Sequence, residues 1–314
     1  MRREGSLEIA DLQGRIVNLF GLGLKATDGV VIGSVLLFDL LIFIFHERIP
    51  DPWKLLGRNS LIGILFIAAV WLYPRLVNRP LKFVVRTGSV QLAFASLYVI
   101  SLRMQLIFVR AWQDPSILSL EESVFGVQPT VWVQKFFSPP LTEWMMFSYT
   151  IYLVIYPLLS GVIFFKRGES QLEDYLVTLA IANITCFLGF MIYPVAGPLD
   201  HMPQAYDVPL KGWFFTAWGE YIRTHVHEIG GTIPSPHCAV ATVMWAMTHR
   251  YVRPAFYALA PVMLSLYAST IYARYHYLTD SLIGIAVGVF AIIIAPALVK
   301  GWNTAAGTGR KGKP

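Results

Sequence analysis

The chain has 314 residues, of which 55% are hydrophobic and 14% charged, and its mean hydropathy is +0.56. This composition excludes an ordinary soluble domain and predicts a protein that lies largely within a membrane. The formal net charge of +6 would suit a nucleic-acid partner, but most basic residues lie on one side of the predicted bundle, which argues against one.

The first 28 residues form a segment of their own. Charged residues alternate there with apolar ones such as Ile9, Leu12 and Ile16, so the continuous apolar core of a cleavable signal peptide is missing. An amphipathic helix at the membrane interface fits better, and a flexible tail is the alternative. We divide the chain into this interfacial segment (1–28), a transmembrane domain (29–303) and a disordered Gly/Lys-rich tail (304–314).

Apolar windows long enough to cross about 30 Å of hydrocarbon recur through the transmembrane domain. We predict an all-α, polytopic bundle of about eight transmembrane helices. Their expected spans are 29–46, 60–77, 89–112, 143–165, 175–194, 237–251, 255–272 and 281–300. Asp39 and Arg103 fall inside the first and third spans at similar depth, where a charge is costly unless it is paired or faces water. We expect these two side chains to approach each other.

Most basic residues lie on one side of this bundle. The side that holds the N-terminus collects 16 of the 25 Lys and Arg residues, against eight on the opposite side and Arg103 within a span. Because basic residues mark the cytoplasmic side, both termini are expected to be cytoplasmic. Two long connections, 113–142 and 195–236, then lie on the periplasmic, extracellular or luminal side. Long loops of this kind tend to be functional or disordered.

The stretch 230–239 reads Gly-Gly-Thr-Ile-Pro-Ser-Pro-His-Cys-Ala and ends the second long connection. Ser235 is a natural N-cap, and Pro236 suits the first helical turn. Gly231 permits a close backbone approach, while free N–H groups at a helix start favour an anion such as phosphate. His237 follows one step inside the helix. Taken alone, a Ser-Pro pair is an ordinary way to start a helix.

The second informative stretch, 272–280, opens the last span. A spacing of four residues places His276 and Asp280 on one helical face, so the carboxylate can orient the imidazole and leave its other nitrogen as nucleophile. Arg274 offers a forked cation for phosphate oxygens. Two spans separate His237 from His276, so both are expected at one membrane face. There one histidine can attack phosphorus while the other protonates the leaving alkoxide, without metal or cofactor. A metal bound by the two histidines and Asp280 is the less favoured interpretation.

These stretches resemble two motifs of the type 2 phosphatidic acid phosphatase superfamily, which includes lipid phosphatases and inositol phosphorylceramide synthases. The segment 234–237 looks like its second motif, and His276 with Asp280 matches the end of its third. The resemblance covers about the last half of the chain. It implies a six-helix catalytic core, with His276 as nucleophile, Asp280 as its orienting partner, His237 as general acid and Ser235 as donor to phosphate.

Departures from the motifs favour one branch of that superfamily. The phosphatases carry a first motif with a lysine and an arginine, and both are absent from the matching stretch 186–198. The arginine that usually follows the serine of the third motif is replaced by Thr270. A phosphomonoester carries nearly two negative charges and a phosphodiester only one, so a cation-poor site suits a diester. The stretches 193–198 and 269–272 look more like the inositol phosphorylceramide synthase side.

We therefore predict a lipid phosphotransferase that moves an inositol-phosphate-like headgroup from a phospholipid to a lipid or alcohol acceptor. Tyr193 and Asp200 join Ser235, Arg274 and Gly231 as candidate substrate-binding residues. The alternative is a lipid phosphate phosphatase acting on a monoester or pyrophosphate. In that case loop cations would have to supply the missing charge, and the candidates are Arg110, Lys135, Lys211 and Arg223.

Two further interpretations are less favoured. A transporter with a polar path through Asp39, Arg103 and His276 would give no reason for the phosphate-binding helix start. A metal site at His225, His227 and Glu228 is suggested by their spacing, but a solvated loop explains these residues more simply.

Overall fold

The computed structural model describes residues 17–19, 22–226 and 228–308. Within these ranges the chain forms twelve α-helices and one short antiparallel strand pair, Val17–Leu19 (β1) with Leu22–Leu24 (β2). The helices are α1 (Ala26–Ile44), α2 (Pro52–Leu72), α3 (Arg79–Arg103), α4 (Asp114–Phe125), α5 (Pro129–Trp132), α6 (Pro139–Arg167), α7 (Glu169–Ile192), α8 (Pro198–His201), α9 (Phe214–Val226), α10 (Pro236–Tyr251), α11 (Arg253–Tyr272) and α12 (Leu278–Thr308).

The all-α membrane bundle expected from the sequence is confirmed. Seven helices are long and apolar enough to cross a membrane: α1, α2 with the turn that follows it, α3, α6, α7, α11 and α12. The expected sixth span corresponds to α10, whose 16 residues extend over about 24 Å. This shorter helix is enclosed by α6, α7, α11 and α12, so it needs less contact with lipid. Because consecutive spans alternate in direction, the starts of α10 and α12 lie on the same side.

Described elements reach into both terminal segments. Residues 17–19 and 22–24 are the paired strands, in a stretch where Gly21 and Gly23 make a helix costly. Helix α12 continues through Thr308, since Ala305 and Ala306 favour helix. The remainder of both segments, 1–16, 20–21 and 309–314, lies outside the described residues.

The expected pairing of Asp39 with Arg103 is wrong. The Asp39 carboxylate instead accepts hydrogen bonds from Asn59 Nδ2 at 2.8 Å and Ser60 Oγ at 3.0 Å, both on α2. Arg103 is the last residue of α3 and forms an ion pair with Glu228 in the connection between α9 and α10. Neighbouring α2 offers an amide and a hydroxyl at the depth of Asp39, and Arg103 reaches the membrane edge, so neither charge needs the other.

A buried charge cluster ties three helices together at the end of the bundle opposite to those helix starts. The guanidinium of Arg86 donates to Glu173 through Nε at 2.6 Å and Nη2 at 2.5 Å, and its Nη1 pairs with Asp28. Lys25 Nζ also reaches Glu173, at 3.0 Å. The cluster thus joins α1, α3 and α7.

Helix α9 is anchored to α6 by one carboxylate, that of Glu143. It accepts hydrogen bonds from the amides of Trp213 (2.7 Å), Phe215 (2.6 Å) and Thr216 (3.1 Å), and from the Thr216 hydroxyl at 2.8 Å. These amides belong to the start of α9, where N–H groups lack partners within the helix. The side chain of Glu143 therefore fixes the position of α9 over the bundle.

We expect Glu143→Gln to loosen the start of α9, because an amide side chain keeps one acceptor oxygen where the carboxylate has two. The loss should be local, about 1–3 kcal/mol. Hydrogen–deuterium exchange should be faster over residues 213–217 and unchanged in α12. The matched control is Glu122→Gln, since Glu122 is exposed. Equal exchange in both variants would contradict the anchoring role.

Candidate active site

The start of α10 has the cap that the sequence predicts. Ser235 is the N-cap residue, its Oγ accepts a hydrogen bond from Cys238 N at 3.4 Å, and Pro236 is the first helical residue. The amide of Ser235 donates to the carbonyl of Asp280 at 3.0 Å, which joins the start of α10 directly to the first turn of α12. The two motif stretches are therefore brought together.

His276 lies just before α12 and is 3% exposed. Its Nδ1 is 3.0 Å from the carbonyl oxygen of Thr232, and its Nε2 is 3.2 Å from Ser235 Oγ. A carbonyl only accepts, so we assign the imidazole proton to Nδ1. Nε2 then presents its lone pair to the start of α10, as a nucleophile would require.

Asp280 is fully buried in the first turn of α12. Its Oδ2 is 3.7 Å from His276 Nδ1, which is an ion-pair distance but too long for a hydrogen bond. The same oxygen accepts from the amide of Tyr277 at 3.0 Å, while Oδ1 has no hydrogen-bond partner among the described residues. The direct orienting partner of His276 is thus the Thr232 carbonyl, with Asp280 behind it.

His237 lies in the first turn of α10, with its ring centroid 5.6 Å from that of His276. Two rings of α6 hold it: Tyr149 stacks on it at 4.5 Å and Tyr152 packs at 4.8 Å. Within the described part of the chain its Nδ1 has no hydrogen-bond partner. The aromatic contacts therefore orient this imidazole, and both histidines converge on one place.

Helix α4 supplies two buried acids that sequence reasoning missed. Asp114 accepts hydrogen bonds from the amides of Ala196 (2.8 Å) and Gly197 (2.9 Å) and from the Tyr277 hydroxyl (3.0 Å). Seven residues later, Glu121 accepts from the amide of Thr279 at 2.7 Å, at the start of α12. The spacing of seven, which puts both acids on one helical face, was the available signal.

Burial raises the pKa of the Glu121 carboxyl, and nearby Asp280 raises it further. Burial also raises the pKa of the Tyr277 hydroxyl, with the charge of Asp114 acting in the same direction. The hydroxyl therefore keeps the proton that it donates to Asp114. Helix α4 holds the connection after α7 and the start of α12 in register beside the histidines.

A second missed feature is the pair Gly284 and Gly288 on α12. A Cβ at Gly284 would lie 2.4 Å from the Ser235 carbonyl oxygen, and one at Gly288 would lie 2.6 Å from Thr242 Cβ. Glycines four apart allow two membrane helices to approach closely. The signal in the sequence was the Gly-x-x-x-Gly pattern within an apolar span. These glycines let α12 approach α10 closely enough to place His276 beside Ser235.

Gly231 does not provide the free amide expected for a phosphate. Its φ of +67° requires the freedom of glycine, but its N–H donates to Gln105 Oε1 at 2.6 Å. Gln105 follows α3 and reaches this loop, a contact that local sequence does not predict. Tyr193 is likewise engaged, since its hydroxyl donates to Ser116 Oγ at 3.0 Å. Asp200 is exposed on α8.

Arg274 has a left-handed backbone, with φ +67°, and is 8% exposed. Its Nη2 donates to Gln134 Oε1 at 3.1 Å and to the Val208 carbonyl, and its guanidinium lies 4.5 Å from the centroid of the Tyr206 ring. Burial lowers the pKa of this guanidinium. These contacts fix Arg274 among loop residues, whereas the sequence suggested a cation directed at phosphate.

The other polar residues of interest have structural partners. Thr270, in place of the motif arginine, accepts the amides of Tyr275 (3.1 Å) and His276 (3.0 Å) on its carbonyl and pairs its hydroxyl with Ser281. His225 stacks on Tyr221. Glu228 pairs with Arg103, and His227 lies outside the described residues.

The family comparison covers this site. A family model described as "PAP2 superfamily" matches residues 115–294, which is more than half of the 314 residues and includes both motif stretches. No curated protein and no solved structure matches the chain. Members of the matching family are generally phosphatases or phosphotransferases. The chain belongs to the PAP2 superfamily.

Proposed function

We propose that this protein is an integral membrane lipid phosphotransferase of the inositol phosphorylceramide synthase type. It would transfer an inositol-phosphate-like headgroup from a phospholipid to a lipid or alcohol acceptor. The observation that carries the proposal is the environment of His276, whose Nδ1 is held by Thr232 while Nε2 faces the start of α10 beside His237.

In the first step, His276 Nε2 attacks phosphorus, a P–N bond forms, and the P–O bond to the diacylglycerol breaks. The leaving alkoxide takes a proton from His237, which acts as general acid. In the second step the acceptor hydroxyl loses its proton to His237 and attacks phosphorus. The P–N bond then breaks, so both histidines return to their starting states.

Asp280 stabilises the positive charge that His276 acquires during this cycle. When Nε2 bonds to phosphorus, the imidazole of His276 becomes cationic. A buried carboxylate 3.7 Å from Nδ1 stabilises that cation, while Thr232 keeps the ring in place. Ser235, fully buried and 3.2 Å from Nε2, is placed to donate its hydroxyl hydrogen to a phosphate oxygen.

The loss of the motif cations from the sequence supports a diester substrate over a monoester. The position of the third-motif arginine is a threonine whose polar atoms serve the fold, and Arg274 is occupied by Gln134 and Val208. A diester with one negative charge needs fewer cations than a monoester with nearly two. We also propose, from the distribution of basic residues, that both termini are cytoplasmic and that the site opens on the other side.

The test offers the purified, detergent-solubilised protein a headgroup-labelled phosphatidylinositol and a lipid alcohol, with and without EDTA. We expect a new labelled phospholipid in both conditions, because no step needs a metal. Release of inorganic phosphate from a lipid monoester, without any transfer product from the diester, would favour the lipid phosphatase instead. Loss of activity in EDTA that added metal restores would contradict the metal-independent reaction.

A further inference from the structure

Helix α9 presents a face of exposed aromatic rings. Phe214 is 69% exposed, Tyr221 55% and Trp218 48%. Amphipathic helices with such a face lie at the membrane interface, at the level of the lipid headgroups. The phosphate of a membrane phospholipid lies at the same level. Helix α9 is therefore at the height from which a lipid phosphate would reach the site.

The opposite face of α9 packs against α6. A Cβ on Gly219 would lie 2.1 Å from Met146 Cε, so the two helices are in close contact there. Arg223 is four residues after Gly219 and lies on the same face, one turn along. On α6, Tyr149 is one turn beyond Met146. The face of α9 that carries Arg223 is therefore turned towards α6, whose Tyr149 stacks on His237.

A line of aromatic rings connects the contact between α9 and α6 with the two histidines. Tyr149 stacks on His237 with 4.5 Å between ring centroids, and Tyr275 packs against Tyr149 at 4.8 Å. The pKa of the Arg223 guanidinium is raised, chiefly by the hydrogen bond to Glu220, with smaller contributions from Tyr275 and Asp200 nearby. Together with its place on the face of α9 that packs against α6, this puts Arg223 near the outer end of this line.

Glu220 holds Arg223 by a contact that is easily exchanged. Nε and Nη2 of Arg223 lie 2.9 and 2.6 Å from the same carboxylate oxygen of Glu220. The side chain of Glu220 is 39% exposed and that of Arg223 is 33% exposed. Such pairs contribute little to stability, whereas phosphate offers a guanidinium two oxygens at once. Three other basic loop residues could replace the missing motif cations. They are Arg110, Lys135 and Lys211, and all three are exposed.

We propose that Arg223 binds the phosphate of the lipid substrate and exchanges Glu220 for the phosphate oxygens as the headgroup enters. The inference rests on the proposed function, since it adds a phosphate-binding residue to the same site. It also gives the site a mobile cation, which suits a singly charged diester. Arg274, fixed by Gln134 and Val208, has no comparable freedom.

The test compares the steady-state kinetics of Arg223→Gln, Glu220→Gln and the control Lys211→Gln, each as the full-length detergent-solubilised protein. With phosphatidylinositol as donor, we expect Arg223→Gln to raise KM about 10- to 100-fold with a smaller change in kcat. Glu220→Gln should lower KM, because it frees the guanidinium. Arg223→Lys should restore part of the affinity, and the control should behave as the unchanged protein.

Opposite shifts of KM in the first two variants are the signature of exchange. A KM that is unchanged in Arg223→Gln, or that rises equally in Arg223→Gln and Glu220→Gln, would overturn the inference, because a structural ion pair fails in the same way from either side. An equal effect of Lys211→Gln would indicate general attraction to anionic lipid and would overturn it too.

A binding measurement separates this inference from the proposed function. A short-chain phosphatidylinositol with a fluorescent acyl chain is titrated into His276→Ala, alone and combined with Arg223→Gln. Weaker binding in the double variant supports the role of Arg223 in binding phosphate, even if no lipid is turned over. In that case only the proposed transfer reaction is rejected. Turnover by the unchanged protein with equal binding in both variants leaves the reaction standing and removes Arg223 from it.

Discussion

Replacing His276 by alanine is expected to lower the rate of the proposed headgroup transfer by at least about 10³-fold, because the reaction would lose its proposed nucleophile. The substitution removes an imidazole that is 3% exposed and bonded at both nitrogens, to Thr232 and Ser235. Some loss of stability is therefore expected as well. Initial rates with labelled phosphatidylinositol, measured alongside the unfolding temperature, separate the two effects.

A second readout concerns the covalent intermediate. Brief incubation with headgroup-labelled donor, without acceptor, should leave acid-labile label on the unchanged protein and none on His276→Ala. The matched control is His249→Ala, at the exposed far end of α10, which should keep both rate and label. Transfer by His276→Ala at a rate near that of the unchanged protein would refute the nucleophile assignment.

Replacing Gly284 by alanine should be the most damaging change outside the histidines and Asp280. The added methyl would lie 2.4 Å from the Ser235 carbonyl and 3.0 Å from Cys238 Cβ, so α12 has to move away from α10. Overpacking of this kind costs about 1–3 kcal/mol. A shift of about 1 Å between Ser235 and His276 can also lower the rate about 10²-fold.

The control is Gly301→Ala on the same helix, where an added Cβ meets nothing within 4 Å. Alanine favours helix over glycine, so this variant should be as stable as the unchanged protein or slightly more so. Thermal unfolding and transfer rate are measured for both variants. If Gly284→Ala matched Gly301→Ala in both, close approach of α10 and α12 would not be what positions the site.

Features of this fold that depend on local sequence could be predicted, and those that depend on distant partners could not. The seven long spanning helices follow from apolar length, and the N-cap at Ser235 from its local residue pattern. The meeting of His237 with His276 follows from counting spans. Each of these conclusions needs only neighbouring residues or the alternation of direction that a membrane imposes.

The polar contacts that form between distant helices could not be predicted in this way. Asp39 pairs with α2 because that helix happens to offer Asn59 and Ser60 at its depth. Gln105 takes the amide of Gly231 across 126 positions of sequence. Burial makes each such pairing necessary, but only the packed structure decides which donor meets which acceptor.

The buried cluster around Arg86 limits how far this protein can be truncated. The family match begins at residue 115, yet Glu173 within it is bonded to Arg86 and Lys25, which precede it. A fragment limited to the matched segment would leave that carboxylate in the bundle without its cations, a costly arrangement. We therefore expect a stable fragment to include α1 and α3, although the family match begins after them.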